Sequence, residues 1–208
     1  CVRGLLFLFW LLAGSLWAQR FPFREYGTRE GLQAQSIVTL AQDRAGFLWL
    51  GTENGLYRYD GQRFRRYGTE DGLPNAFINN LCVTPDGALW IGTIAGVARM
   101  RDGVIVALEN EELKKLAPKQ GFGSDGRETL YLATPKGLAF TRISATGNKL
   151  PLEFIPPPKG ATDPFATGLW VEAPGSVWFG CGLSICRWRA GNVEEFGPDR
   201  GVPEDRYQ

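Results

Sequence analysis

Histidine is absent from the 208 residues of this chain. Because histidine is the usual general base near neutral pH and the commonest zinc ligand, its absence excludes a Ser-His-Asp triad and a His-ligated zinc site within these residues. Cysteine is scarce, and no CxxC pair occurs among Cys1, Cys82, Cys181 and Cys186. A structural zinc site is therefore not expected. We predict no catalytic, cofactor-binding or metal-binding residues and no cofactor for this segment, and no residue identifies a ligand site.

An excess of charge of one sign is also lacking. The 23 Lys and Arg residues are balanced by 22 Asp and Glu residues, which leaves a formal net charge of +1, and no long basic run occurs. Since nucleic-acid binding relies on a concentrated basic surface, we expect no nucleic-acid partner. The chain instead contains many glycine, proline and tryptophan residues, 27, 13 and 7 respectively, and 12% of its residues are aromatic. This composition favours short strands joined by many turns.

The first residues have the layout of a secretory signal peptide. Arg3 precedes the apolar stretch Gly4–Ala18, which ends in small residues. These 15 residues are fewer than the roughly 20 that a membrane-spanning helix needs. We interpret residues 1–18 as a signal peptide, with an uncleaved anchor or a buried helix as alternatives. Export would permit a disulfide between Cys181 and Cys186, and two free buried thiols are the alternative.

One phrase of apolar, aromatic and apolar residues recurs four times. It reads FLWLGT, ALWIGT, TLYLAT and SVWFGC. The central aromatic residues are Trp49, Trp90, Tyr131 and Trp178, and the intervals between them are 41, 41 and 47 residues. A glycine stands three residues before three of them, at Gly46, Gly87 and Gly175. A period of about 40 residues with short strands and turn signals is typical of propeller blades. We expect the aromatic residues to fill the spaces between sheets and the glycines to adopt positive φ.

The repeat therefore predicts an all-β fold, a β-propeller with about four four-stranded antiparallel blades of an incomplete ring. The predicted blades lie within a domain of residues 19–208, at about 36–68, 77–109, 118–155 and 165–197. The third unit is degraded, and a short helix at Glu109–Leu116 and an extended connector at Pro156–Pro158 are expected there. Phe21–Gly27 reads FPFREYG and matches RFRRYG at Arg63–Gly68. We predict that residues 21–27 form the closing strand of a last blade whose other strands are not in this chain.

These units resemble the two-component regulator propeller repeat. The best match is QDRAGFLWLGTENGLYRYDGQRFRRYGTEDGLPN, followed by TPDGALWIGTIAGVARMRDG and VEAPGSVWFGCGLSICRW. The unit DGRETLYLATPKGLAF departs from the pattern, with Tyr131 in place of Trp and Ala133 in place of Gly. The resemblance implies a seven-bladed ring in the periplasmic sensor region of a bacterial membrane signalling protein. The output of such a protein is a histidine kinase, often a hybrid one, or a diguanylate cyclase.

On this resemblance we expect a non-catalytic, ligand-sensing propeller of a two-component-type signalling protein. Its place would be the periplasmic or extracellular side of the inner membrane, reached through the N-terminal signal. The expected partners are a small extracellular ligand, with carbohydrate among the candidates, and the remaining blades of a longer chain. The full-length protein could form a homodimer and would meet the membrane only through C-terminal parts outside this segment.

Two alternatives remain for the function. The first is a secreted, non-catalytic propeller that serves as an interaction scaffold. The second is an enzyme similar to streptogramin lyase, whose repeats also resemble this propeller type. Lyase chemistry of that kind would require a histidine as the general base, and this chain has no histidine. The enzyme is therefore the less favoured of the two alternatives, and the scaffold remains open beside the sensor.

Overall fold

A computed structural model describes residues 23–115, 121–144, 147–157 and 165–202. Within these ranges the regular structure consists of sixteen β-strands and single turns of 3-10 helix, without an α-helix. The strands form four four-stranded antiparallel sheets, which confirms the predicted all-β fold class. The proposed signal peptide, residues 1–18, lies outside the described residues. Among those that are described, no helix is long and apolar enough to span a membrane.

Each sheet is a meander whose strands follow one another in chain order, so each sheet is one blade. The strands of blade 1 are β1 (Ile37–Gln42), β2 (Leu48–Thr52), β3 (Gly55–Tyr59) and β4 (Phe64–Tyr67). Those of blade 2 are β5 (Ile78–Val83), β6 (Leu89–Thr93), β7 (Gly96–Arg101) and β8 (Val104–Ala107). Those of blade 3 are β9 (Phe122–Ser124), β10 (Thr129–Thr134), β11 (Gly137–Arg142) and β12 (Glu153–Phe154). Those of blade 4 are β13 (Ala166–Ala173), β14 (Ser176–Cys181), β15 (Ser184–Arg189) and β16 (Asn192–Phe196).

The blades pack face to face in chain order. The first strands of the four blades lie side by side, with β1 against β5, β5 against β9 and β9 against β13. An apolar cluster fills each of the three spaces, and Trp49, Trp90 and Tyr131 lie in the first, second and third cluster. These three side chains are at most 5% exposed. The predicted role of the aromatic residue is therefore confirmed at three of its four positions.

Glycine and threonine shape the hairpins on either side of each aromatic residue. Gly46, Gly87 and Gly175 have φ angles of 88°, 83° and 75°, values that glycine adopts at little cost because it lacks a Cβ. Three residues after the aromatic position, a threonine hydroxyl donates a hydrogen bond of 2.7 to 2.8 Å to the carbonyl that closes the next hairpin, at Thr52, Thr93 and Thr134. Neighbours in sequence thus determine the hairpins of blades 1 to 3.

Blade 4 closes the same hairpin with a disulfide. Cys181 occupies the position of the threonine and is bonded to Cys186 on β15, with Cα atoms 5.8 Å apart. Of the two alternatives left open by the sequence, the disulfide is the one that forms. Cys82 is the free cysteine of the described residues and is half-buried.

The segment before blade 1 packs on that blade without pairing as a strand. Residues 23–27 have no regular structure, yet the ring of Tyr26 lies 5.1 Å from that of Tyr59 and 5.9 Å from that of Phe64. A 3-10 turn at Thr28–Glu30 follows, and Leu32 is buried after it. The closing role of residues 21–27 stays a prediction.

The segment between β8 and β9 differs from the helix expected at Glu109–Leu116, whose last residue lies outside the described ranges. The segment contains one 3-10 turn, Leu113–Lys115, and begins extended. The backbone N–H of Glu109 donates to the carbonyl of Asn148 at 2.6 Å, and Glu109 and Lys149 form an isolated parallel bridge there. The carbonyl of Glu109 accepts from the N–H of Leu150 at 3.5 Å, so it does not serve as the acceptor for the N–H four residues later that the first turn of an α-helix requires. In the predicted connector, Pro156 and the residue after it lack regular structure, and residue 158 lies outside the described ranges.

Candidate interaction surface on blade 4

An acidic residue and an arginine accompany the aromatic residue of blade 1. The indole Nε1 of Trp49 donates to the carboxylate of Asp43 at 2.8 Å, and the guanidinium of Arg58 lies 5.9 Å from the ring centroid. Asp43 stands six residues before the aromatic position and Arg58 nine residues after it. This spacing places all three on one face, because β1, β2 and β3 are paired in register.

Blade 2 keeps the tryptophan and the arginine of this arrangement, has Thr84 in place of the acidic residue, and extends the contacts to the next blade. Trp90 Nε1 donates to Thr84 Oγ1 at 3.2 Å, and Arg99 lies 5.6 Å from the ring centroid. Arg99 Nη2 also donates to a backbone carbonyl of blade 3 at 2.9 Å, and Arg101 Nη2 donates to another at 3.3 Å. Arg101 is also paired with Asp86. The arginines therefore hold the loop between β11 and β12 of blade 3 against blade 2.

Blade 3 differs from the other blades at the positions of both the tryptophan and the arginine. Tyr131 stands where the other blades have tryptophan, and Phe140 stands nine residues later in place of arginine. Their ring centroids are 6.3 Å apart. Burial raises the pKa of the Tyr131 phenol. This junction is thus formed by aromatic packing where the other three blades use a cation over an indole.

Blade 4 has the complete arrangement, and it lies on the side of the sheet that does not pack on blade 3. Ser176 Oγ donates to Glu172 Oε2 at 2.7 Å, and Arg187 Nη2 donates to the same oxygen at 2.5 Å. Trp178 Nε1 also donates to this oxygen at 3.3 Å, and the Arg187 guanidinium lies 5.0 Å from the indole centroid. The hydrogen bonds from Ser176 and Arg187 hold the pKa of the Glu172 carboxyl below its usual value.

The surface around this arrangement is apolar and exposed. Trp178 pairs with Trp170 across β13 and β14, and Ile185 pairs with Phe196 across β15 and β16. Trp170 is 62% exposed and Ile185 43% exposed, and Phe196 lies 5.2 Å from Trp178. Since residues paired across strands share a face, these four side chains form one patch opposite the side that packs on blade 3. We call it the free face of blade 4.

A cleft lies at the edge of this free face. It has a volume of about 490 Å³ and is lined by Glu172, Ser176, Arg187 and Arg189 together with the turn at Pro174 and Gly175. Acidic and basic groups therefore meet beside the half-buried indole of Trp178. In the part of the chain that the structure describes, no group of three or more His, Cys, Asp or Glu residues could hold a metal ion.

The sequence named no ligand-binding residue, so the residues of the free face were not predicted as a site. A signal was nevertheless present in the repeat. Arg58, Arg99 and Arg187 all stand nine residues after a tryptophan, and that shared position could have indicated a common partner. Trp178 was expected to be buried between sheets like the other aromatic residues. It is half-buried instead, because no described sheet covers it.

Comparisons with known proteins agree with the repeat pattern. Residues 31–54 and 72–95 match the family described as two component regulator propeller. Histidine kinase P4 of Formosa agariphila is 43% identical over 56 residues, which are 26% of this chain and 4% of that protein. The chain therefore spans only a small part of the length of this curated relative.

Solved structures share the fold. The extracellular domain of a putative hybrid two component system from B. thetaiotaomicron superposes with a TM-score of 0.64 at 19% identity, over 83% of this chain and 26% of that chain. The extracellular domain of a putative one component system from the same organism gives 0.61 at 20% identity, over 80% and 22%. At these identities the likeness establishes the propeller fold.

Proposed function

Because this chain contains two-component regulator propeller repeats, we propose that it is the ligand-sensing propeller of a bacterial signal-transduction protein. The observation that carries the proposal is the position of the two family matches relative to the strands. Residues 31–54 span β1 and β2, and residues 72–95 span β5 and β6. Two consecutive matches therefore coincide with the same half of two consecutive blades. The similarity to a histidine kinase gives further support.

The proposed role is binding without catalysis. A sensor of this kind works when its ligand has different affinities for two arrangements of the protein, so that binding changes their populations. The ligand contacts the propeller, the packing of the propeller against other parts of the protein changes, and the output follows. A small extracellular molecule is the proposed ligand.

The proposed location is outside the cytoplasm. The disulfide between Cys181 and Cys186 supports it, because disulfides persist in oxidising compartments and are rare in the cytosol. The signal-like residues 1–18 support it as well. A fusion of residues 1–202 to an alkaline phosphatase without its own leader tests this location. Cells with the fusion should show phosphatase activity, and cells with a fusion that lacks residues 1–18 should not. Equal activity of the two fusions would contradict export through this segment.

The sensing role is tested on the full-length gene product in its membrane. If the reading frame continues into a transmembrane segment and a kinase or cyclase, phosphorylation or cyclic dinucleotide formation is measured with and without pools of extracellular compounds. Compounds that change the output should also raise the melting temperature of the isolated chain, since a ligand stabilises the folded state that it binds. A stop codon directly after the last blade would favour the secreted scaffold.

A further inference from the structure

Blade 1 carries two arginines directly opposite each other on its two outer strands. Arg58 of β3 pairs with Arg65 of β4, and the pair continues the row that begins at Trp49 of β2. Residues paired across strands share a face, so both arginines lie on the face of blade 1 from which Trp49 packs against blade 2. Like charges in directly opposite positions destabilise a sheet. A compensating negative group is therefore expected beside this pair.

The other blades with an arginine at this position place a different residue opposite it. Blade 2 pairs Arg99 with Val106, and blade 4 pairs Arg187 with Glu194. Arg99 Nη2 also donates to a backbone carbonyl of blade 3 at 2.9 Å, and Arg187 Nη2 donates to Glu172 at 2.5 Å. Among the three arginines, the one in blade 1 is thus the exception, because it faces a second cation.

Within the described residues, the arginine pair of blade 1 has no partner of opposite charge. No ion pair among those residues includes Arg58 or Arg65. The Nε atom of Arg58 is buried and has no hydrogen-bond partner, whereas neither terminal nitrogen is buried in this way. Buried polar atoms are nearly always paired, so an unpaired one calls for an explanation such as a bound ion. A negative charge at the open terminal nitrogens would compensate the buried N–H as well, because electrostatic interactions are strong in such an environment.

Two carboxylates of blade 1 lie close by, and both accept hydrogen bonds from other groups. Asp43 Oδ2 accepts from Trp49 Nε1 at 2.8 Å. Asp60 Oδ1 accepts from the backbone N–H groups of Gln62 and Arg63, each at 2.9 Å. These two backbone hydrogen bonds are the main reason that the pKa of the Asp60 carboxyl is below its usual value. Neither carboxylate bridges the arginine pair.

Aromatic rings hold the two guanidinium groups in place. The guanidinium of Arg58 lies 4.5 Å from the ring centroid of Phe47, and that of Arg65 lies 4.8 Å from the centroid of Tyr67. The rings of Trp49 and Tyr67 are 5.8 Å apart, so both arginines rest on one aromatic group. A guanidinium stacked on a ring keeps the N–H groups of its edge available, and this planar edge matches the oxygens of carboxylate, phosphate and sulfate groups.

We propose that Arg58 and Arg65 form a binding site for an oxyanion, namely a carboxylate, phosphate or sulfate group, either free or part of a larger molecule. The anion lies between the two guanidinium groups, at the outer strands of blade 1, and accepts hydrogen bonds from both. It removes the repulsion within the pair and thereby stabilises this side of the junction with blade 2. The site does not depend on the proposed sensing role, so the failure of either proposal leaves the other intact.

Modification of the full chain by phenylglyoxal, followed by mass spectrometry, tests the site at single arginines. The chain is modified in sodium chloride and in sodium phosphate of equal pH and ionic strength. Modification of Arg65, whose side chain is exposed, should be roughly fivefold slower when phosphate reaches about four times its dissociation constant, because only the unoccupied site reacts. Arg127 is exposed in a turn of blade 3 and is the internal reference, which should react equally in both salts. Arg58→Gln should abolish the protection of Arg65.

Parallel series in sulfate and in acetate identify the kind of anion. Protection of Arg65 by acetate alone would identify the carboxylate group as the ligand. Protection by phosphate and sulfate alone would identify a tetrahedral anion, and protection by all three would identify oxyanions in general. Equal modification rates of Arg65 in chloride and in all three other salts overturn the proposal.

Melting temperatures of two variants separate the site from general effects of salt. Phosphate and sulfate stabilise folded proteins by exclusion from their surface, and this general gain should be the same for Arg127→Gln and the unmodified chain. Arg65→Gln should melt no lower than the unmodified chain in chloride, because it removes the repulsion within the pair. In the anion that protects Arg65, it should lack the additional gain that binding gives the unmodified chain. Equal gains for Arg65→Gln and the unmodified chain in that anion also overturn the proposal.

Discussion

The guanidinium of Arg187 lies over the indole of Trp178, 5.0 Å from the ring centroid. Arg99 and Trp90 form the same pair at the junction of blades 2 and 3. An arginine over a tryptophan contributes about 0.5–1 kcal/mol at exposed sites and more when the pair is desolvated. The pair in blade 4 thus forms on a face that no described sheet covers.

The first prediction concerns the two tryptophans at equivalent positions. Trp90→Ala should destabilise the chain by about 3–5 kcal/mol, because the side chain is fully buried between two blades and its deletion leaves a cavity. Trp178→Ala should cost clearly less, since part of its surface is already open to water. Urea denaturation followed by circular dichroism measures both. Coincident unfolding curves for Trp90→Ala and the unmodified chain would contradict the buried role.

The second prediction uses two glycines with positive φ. Gly201→Ala should cost about 1–2 kcal/mol, the usual penalty for a left-handed conformation in a residue with a Cβ. Gly72→Ala should cost more, because the added Cβ would also lie 2.7 Å from the backbone oxygen of Ile105. The free energies of unfolding of the two variants give the comparison. Equal losses would mean that blade 2 does not approach Gly72 as closely as the structure shows.

The third prediction concerns the hairpin of β14 and β15. Blades 2 and 3 have threonine and alanine at the positions of Cys181 and Cys186, so the double variant Cys181→Thr, Cys186→Ala should fold with a hydroxyl-closed hairpin. Reduction of the unmodified chain should lower its stability by about 2 kcal/mol, the chain-entropy value for so short a loop. The double variant should not respond to reductant. A response of equal size in both would show that the reductant does not act through the disulfide between Cys181 and Cys186.

The fourth prediction is a pH dependence of stability. Hydrogen bonds from Ser176 and Arg187 lower the pKa of Glu172 below its usual value of 4.5. A carboxyl with a lowered pKa in the folded state stabilises the fold above its unfolded pKa and loses that contribution as the pH falls through the folded value. Glu172→Gln should therefore be less stable than the unmodified chain at pH 7, and the difference should shrink below pH about 4.5.

Thermal unfolding of the two chains between pH 7 and 3 measures this difference. Glu128→Gln is the matched control. Its carboxylate pairs with Arg142 at 3.3 Å, and both side chains are more than three-quarters exposed, so the pair should contribute little at any pH. A stability difference for Glu172→Gln that stays constant over the whole range would contradict the role of the ionised carboxylate.

The blades and their hairpins could be predicted from the repeat. The glycine three residues before each tryptophan has positive φ as expected, because a tight turn depends on the backbone freedom of residues within the turn. The prediction of a helix at Glu109–Leu116 was wrong because the structure of this segment depends on a residue far away in the sequence. Its backbone pairs with Asn148 in another blade, and no local pattern records a partner nearly forty residues away.

The periodic aromatic, glycine and threonine positions were sufficient for the all-β class and the propeller, since each depends on groups a few residues apart. The burial of each aromatic side chain is different, because it depends on whether a sheet formed by a distant part of the chain packs over it. Trp90 and Trp178 stand in the same phrase, yet one is enclosed and the other lies on an open face. Likewise, the sequence left the pairing of Cys181 and Cys186 open, and it was settled by the approach of β14 and β15, which brings their Cα atoms to 5.8 Å.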